Sequence, residues 1–231
     1  MMRENFWTTD PEFMECFEHF AFDEVVNEEG QQLEDETRYL AILATLLGCQ
    51  GVEAFGEVLA QALDHGVTPV MAKEVVYQAV DYLGIGRVLP FLDQTNEVLS
   101  KRGVELPLAG QATTTMENRL EKGIEAQVEI FGAQMREAWK GGHINRWLAD
   151  NCFGDYYTRT GLDLKQREMI TFCYLAAQGG CEPQLIAHAK GNMNLGNDKA
   201  FLIRVISQCL PYIGYPRSLN AVNAVNKAAE G

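Results

Sequence analysis

The chain has 231 residues, nearly half of them hydrophobic, enough to bury a sizeable core in one large domain or two small ones. A net charge of −13 argues against nucleic acid and against anionic membranes as partners. No run approaches the roughly 20 apolar residues of a membrane span, and the N-terminus MMRENFWTTDPEFMECFEHF lacks the apolar stretch of a secretory signal.

Asp10-Pro11-Glu12 opens a first helix whose Phe13, Phe17, Phe20 and Phe22 form an aromatic face, expected to pack into the core. Gly30 breaks the chain. Glu34, Asp35 and Glu36 favour the positive end of a second helix, apolar nearly throughout, which ends at Gly48 to Gly51. A third covers about 52–65 and stops at Gly66. Thr68-Pro69 starts a fourth, running to Leu83, and Gly84-Ile85-Gly86 turns the chain into a fifth over 88–100. Residues 101–115, KRGVELPLAGQATTT, have no periodicity and read as a linker. Leu120, Ile124, Val128, Phe131 and Met135 then predict one long amphipathic helix from Met116 to about Trp139. A short helix follows around 144–153.

Asp163 and Gln166 form a capping box for the next helix, which is apolar on most faces and therefore buried. Gly179-Gly180 ends it. Glu182 as N-cap and Pro183 at the first helical position restart the chain, which puts Cys181 just ahead of a helix N-terminus. His188 lies about two turns along from Cys181, with Gln184 as its neighbour on the same face. Asn197-Asp198 cap a helix ending near Tyr212, and Pro216 opens the terminal one. No segment reads as a strand, so the fold class is all-α.

The halves resemble each other. Arg38 falls on Arg167, Gly66 on Gly196, Tyr82 on Tyr212, Gly84 on Gly214 and Arg87 on Arg217. This implies two copies of one helical unit, over 1–105 and 106–231, packed about a pseudo-twofold axis. Opposite Glu168, His188 and Cys181 stand Tyr39, Val58 and Gly51. Ionisable groups therefore gather in the second copy only, and any active site is expected there. Glu168 and His188 on adjacent helices make a workable acid–base pair; the alternative is a buried pair that only fixes packing. A thiol at the start of a helix has a lowered pKa, which gives Cys181 a second possible chemistry. Six irregularly spaced cysteines, without Cys-x-x-Cys or zinc-type spacing, read as reduced thiols of a cytoplasmic protein.

The run FGDYYTRTGLDLKQREMITF, then CEPQLIAHAKGNMNLG, then LPYIGYP resembles the carboxymuconolactone decarboxylase and alkylhydroperoxidase D-like family. Glu168, His188 and the closing Tyr212-to-Pro216 motif carry the resemblance, which covers about the last hundred residues. It implies a helical protein, often assembled into rings, and hence a homo-oligomer. Its decarboxylase branch acts on a carboxylated lactone with no metal or organic cofactor. By that resemblance His188 would protonate the developing carbanion, Glu168 would orient it, and Gln184, Tyr212 and Arg217 would bind a small-molecule substrate. The alkylhydroperoxidase branch cycles a Cys-x-x-Cys pair. Here Cys181 matches its first cysteine and Gln184 replaces its second, leaving a one-cysteine peroxidase as the alternative. A non-catalytic helical oligomer is the third possibility.

Overall fold

The computed structural model describes residues 5–230; it is helical, with no strand among them. The reading of a missing signal rests in part on residues 1–4, outside the described residues. The chain begins with α1 (Phe6–Thr9) and α2 (Pro11–His19), which passes through a wide turn at Phe20–Glu24 into α3 (Val25–Asn27). The body of the first half is α4 (Asp35–Cys49), α5 (Val52–Asp64), α6 (Pro69–Leu83) and α7 (Ile85–Lys101). The second half holds α8 (Arg119–Phe131), α9 (His143–Trp147), α10 (Leu164–Gln178), α11 (Glu182–Asn194) and α12 (Lys199–Glu230). A wide-turn helical stretch, Leu148–Tyr157, follows α9.

The caps form as their residue types require. Thr68 Oγ1 accepts from the Met71 amide at the start of α6. Asp163 and Gln166 satisfy each other's backbone amides at 2.8 and 3.0 Å. Asp198 Oδ1 accepts from the Phe201 amide. Gly214, at φ 74°, interrupts the dihedrals of α12, so a separate terminal segment starts next to Pro216.

Three expectations are corrected. The 116–139 helix stops at Phe131, because Gly132 adopts φ 102° and the chain continues in tight 3₁₀ turns over Ala133–Gly141. The spacing of Met135 is helical, but the backbone there is not. The α2 aromatic face is not core: Phe13 is exposed and Phe17, Phe20 and Phe22 are half-buried, while Met14 and Ala21 make the buried contacts. The N-cap of α11 is Cys181 itself, with Glu182 and Pro183 inside the first turn.

At the centre α4 crosses α10, and every residue over 38–48 and over 167–177 is buried. Gly48 permits this approach. A Cβ there would stand 2.6 Å from Ala177 Cβ and 2.7 Å from the Tyr174 carbonyl oxygen. One apolar cluster draws on both halves of the chain, and a smaller one, including Ile130, Phe153 and Tyr157, lies beneath α8.

Polar ties also reach from half to half. Arg38 Nε donates to Gln208 Oε1, and Arg167 Nη1 donates to Gln78 Oε1, each at 2.8 Å. Arg167 Nη2 also meets Glu74 Oε2 at 3.0 Å, and Arg159 grips the same carboxylate through Nε and Nη2. Glu74 is 1 % exposed. Such a buried carboxylate is tolerable only because two guanidiniums and their hydrogen bonds surround it. The segment after α7 is irregular but fastened: Thr113 and Thr114 donate to the carbonyls of Thr158 and Gly154.

Two glycines give a paired test in urea unfolding. Gly48→Ala is expected to destabilise the fold by about 1–3 kcal/mol through overpacking at the crossing. Gly86→Ala, where a Cβ meets nothing within 4 Å, should be neutral or gain up to about 1 kcal/mol.

Candidate functional site

Glu168 lies on α10 beside Arg167 and is 0 % exposed. An ionised carboxylate so placed needs donors on its oxygens. Tyr157 donates its hydroxyl to Oε1 at 2.7 Å, and His188 Nδ1 lies 2.9 Å from Oε2 and 3.1 Å from Oε1. Because a carboxylate only accepts, Nδ1 carries the imidazole proton of that contact. Asn192 fixes the two helices by donating to the backbone carbonyls of both Glu168 and His188 at 2.9 Å. Gly191 makes room: a Cβ there would meet Glu168 Oε2 and Ile130 Cγ2 at 2.8 Å.

Beyond Tyr157 the hydrogen bonds continue into the first half. Its hydroxyl meets that of Tyr82, on α6, at 2.8 Å and Thr171 Oγ1 at 2.7 Å. Gln78 Nε2 donates to Thr171 Oγ1, so the threonine proton is free to point at Tyr157. Burial pushes the Tyr82 and Tyr157 hydroxyls well above their ordinary range, so both stay neutral donors. The His188 ring stands edge-on to Tyr82 and Phe131, with centroids 5.5 and 5.3 Å away. Its Nε2 has no protein partner among the described residues.

His188 lines an open pocket of about 620 Å³. The walls are mainly apolar, from Phe131, Met135, Leu148, Phe153 and Leu175, with Gln178, Gln184 and Asn194 amides among them. Lys190, Asp81 and Tyr82 are its charged or ionisable lining residues besides His188 and Cys181. No group of three or more metal-ligating side chains occurs among the described residues, and no helix among them is long and apolar enough to cross a membrane.

Of the residues singled out in the sequence, His188, Cys181 and Gln184 line this pocket, and Glu168 lies beneath it. Tyr212 and Arg217 do not line it. Tyr212 is pushed up to about 12 by burial, near Arg38, Cys209 and Tyr39. Arg217 lies near Gly179 and Cys49. Of the residues aligned with them in the sequence, Tyr82 stands in the pocket wall, while Arg87 lies outside the lining with Nη1 3.5 Å from Gln178 Oε1. A tyrosine on α6 thus stands edge-on to the histidine on α11. Sequence reading also missed Tyr157, although the run FGDYYTRTG that carried the resemblance contains it.

Cys181 departs from expectation in one respect. All six cysteines are free, but burial, with Glu182 alongside, pushes the Cys181 thiol up rather than down; a Gln178 Nε2 contact at 3.6 Å only partly offsets this. Its sulfur turns back toward the Leu175 carbonyl at 3.5 Å, and desolvation outweighs the helix end.

The fold and site thus define an all-helical protein with a carboxylate–imidazole pair at the base of an open, largely apolar pocket. Residues 143–227, which hold the pair, match the model of the Carboxymuconolactone decarboxylase family. No curated protein matches the chain.

Asp81 gives the site a pH signature. Burial, with Asp155 nearby, pushes its carboxyl up from 3.8 to about 7. Between those values the folded chain holds a proton that the unfolded chain releases, so this group makes stability fall as pH rises through the window. Asp81→Asn should therefore raise the melting temperature more on the alkaline side of 7 than below 3.8, as scanning calorimetry across pH would show.

Proposed function

We propose that the chain is an acid–base enzyme without an organic cofactor, decarboxylating a small carboxylated lactone-type substrate in the His188 pocket. One observation carries this reading: the His188 imidazole is held by a buried carboxylate through Nδ1, while Nε2 is left toward the pocket. That is the arrangement a proton-transfer group needs, with orientation fixed on one nitrogen and exchange free on the other. In the step, the bond between the substrate carbon and its carboxylate breaks and carbon dioxide leaves. The electron pair stays on that carbon, delocalised into the lactone, and takes the proton from His188 Nε2. The imidazole regains a proton from water. Glu168 positions the ring and stabilises its charged form. Lys190, which lines the pocket without an ion-pair partner among the described residues, supplies the cation for a substrate carboxylate, in place of Arg217.

A thiol peroxidase is the weaker reading, since Cys181 is held in its thiol form and Gln184 stands where a resolving cysteine would be. We read the two halves as copies of one unit, the first lending wall to the second's pocket. Exposed Ile85 and Leu89, with Tyr215 and Leu219 at the repeat-related positions, support assembly with further copies.

The test is release of carbon dioxide from a carboxylated γ-lactone. His188→Gln should cut the rate by about 100- to 10,000-fold with little loss of thermal stability, and Cys181→Ser should leave it unchanged. An unreactive lactone together with peroxide consumption that Cys181→Ser abolishes would overturn the proposal.

A further inference from the structure

The pocket holds a second carboxyl group that the acid–base pair does not use. Asp81 lies at the end of α6, one residue before Tyr82, and lines the same pocket as His188. Its Oδ2 is buried with no hydrogen-bond partner. The Cys152 thiol, from the wide-turn stretch 148–157, neighbours this carboxyl group. Cys152 Sγ in turn lies 3.7 Å from the Tyr82 hydroxyl, a sulfur hydrogen bond. From there the chain is already described: Tyr82 to Tyr157 at 2.8 Å, Tyr157 to Glu168 at 2.7 Å, and Glu168 to His188 Nδ1.

Donor order along this path has a single consistent direction. Glu168 can only accept from Tyr157, so Tyr157 must accept from Tyr82, and Tyr82 from Cys152. With its one proton on Tyr82, the sulfur accepts from Asp81 when that carboxyl is protonated; toward an ionised Asp81 the thiol donates instead and the line is open. Five groups thus form one directed line of protons, beginning and ending on carboxyl groups.

We propose that Asp81 is a second proton-holding group of the pocket, linked to the His188–Glu168 pair through Cys152, Tyr82 and Tyr157. The first half of the chain thereby contributes to the chemistry as well as to the wall. Passing one proton down the line leaves Asp81 as carboxylate and Glu168 as neutral acid, with each intervening group giving one proton and taking one. Nothing is oxidised or reduced. In the protonated form Asp81 can alternatively donate to a substrate oxygen; a proton that passes down the line stays on Glu168, because the His188 Nδ1 it faces is already protonated. Its raised proton affinity agrees with this placement: Asp155, Tyr156 and Cys152 face it from the 148–157 stretch, and Tyr174 from α10. Across the pocket on α11 stand His188 and Lys190.

The inference rests on His188 as an acid–base group, but its test needs no substrate, so it fails or survives separately from the decarboxylase reading. The imidazole carbon shift of His188 is followed by NMR from about pH 5 to 9, together with the infrared band of a protonated carboxyl group. The intact protein should show a carboxyl band that disappears near neutral pH, and a matching inflection in the His188 shift. Asp81→Asn should remove both. Tyr82→Phe, which keeps the ring and breaks the line, should keep the band and remove the inflection. Loss of the band with an unaltered His188 curve in Asp81→Asn would overturn the linkage. So would an inflection that persists in Tyr82→Phe, since it would reduce the coupling to a through-space field. Cys152→Ala, which also breaks the line, provides the same readout if Tyr82→Phe fails to fold.

Discussion

The burial of Glu168 is the constraint on which the rest of the site depends. A carboxylate at 0 % exposure is costly unless its oxygens are matched by donors. Two donors come from different directions, the Tyr157 hydroxyl and the His188 imidazole. Satisfying those donors recruits Thr171, Tyr82 and Gln78 in turn. Backbone ties from Asn192 and the missing side chain at Gly191 hold α10 and α11 close enough for the pair to form. A local electrostatic requirement thus sets helix spacing, ring orientation and the direction of the hydrogen bonds.

The same helix carries a second buried charge of opposite sign. Arg167, the residue before Glu168, is answered by Glu74 and Gln78 on α6. Adjacent residues on a helix point about 100° apart, so Arg167 and Glu168 address different neighbours. One anchors α10 to the first half; the other faces the pocket side. This explains why α6 both braces the core and delivers Tyr82 and Asp81 to the pocket wall.

Much of this was legible in the sequence, for local reasons. The Asp163–Gln166 box and the Thr68-Pro69 start depend on residues three positions apart, and they form as read. Glu168 and His188 were legible because ionisable residues stand in otherwise apolar helical runs. Partner choice across the fold was not legible. Tyr82 and Tyr212 each stand two residues before a glycine, Gly84 and Gly214, and nothing in either run tells which of them meets the histidine. Gly132 shows another limit: apolar spacing continues to Met135, and a backbone dihedral alone ends the helix. Cys181 shows a third, since helix-end stabilisation and desolvation oppose each other and only the packed environment determines the sign.

The central claim is that a buried carboxylate fixes the His188 ring through Nδ1 and leaves Nε2 to exchange protons with the pocket. Nitrogen NMR of the His188 imidazole, followed through its titration, tests this most directly. The account predicts that Nδ1 remains protonated throughout while Nε2 gains and loses its proton, and that Glu168→Gln abolishes the preference. A proton that stays on Nε2 while Nδ1 titrates would contradict it.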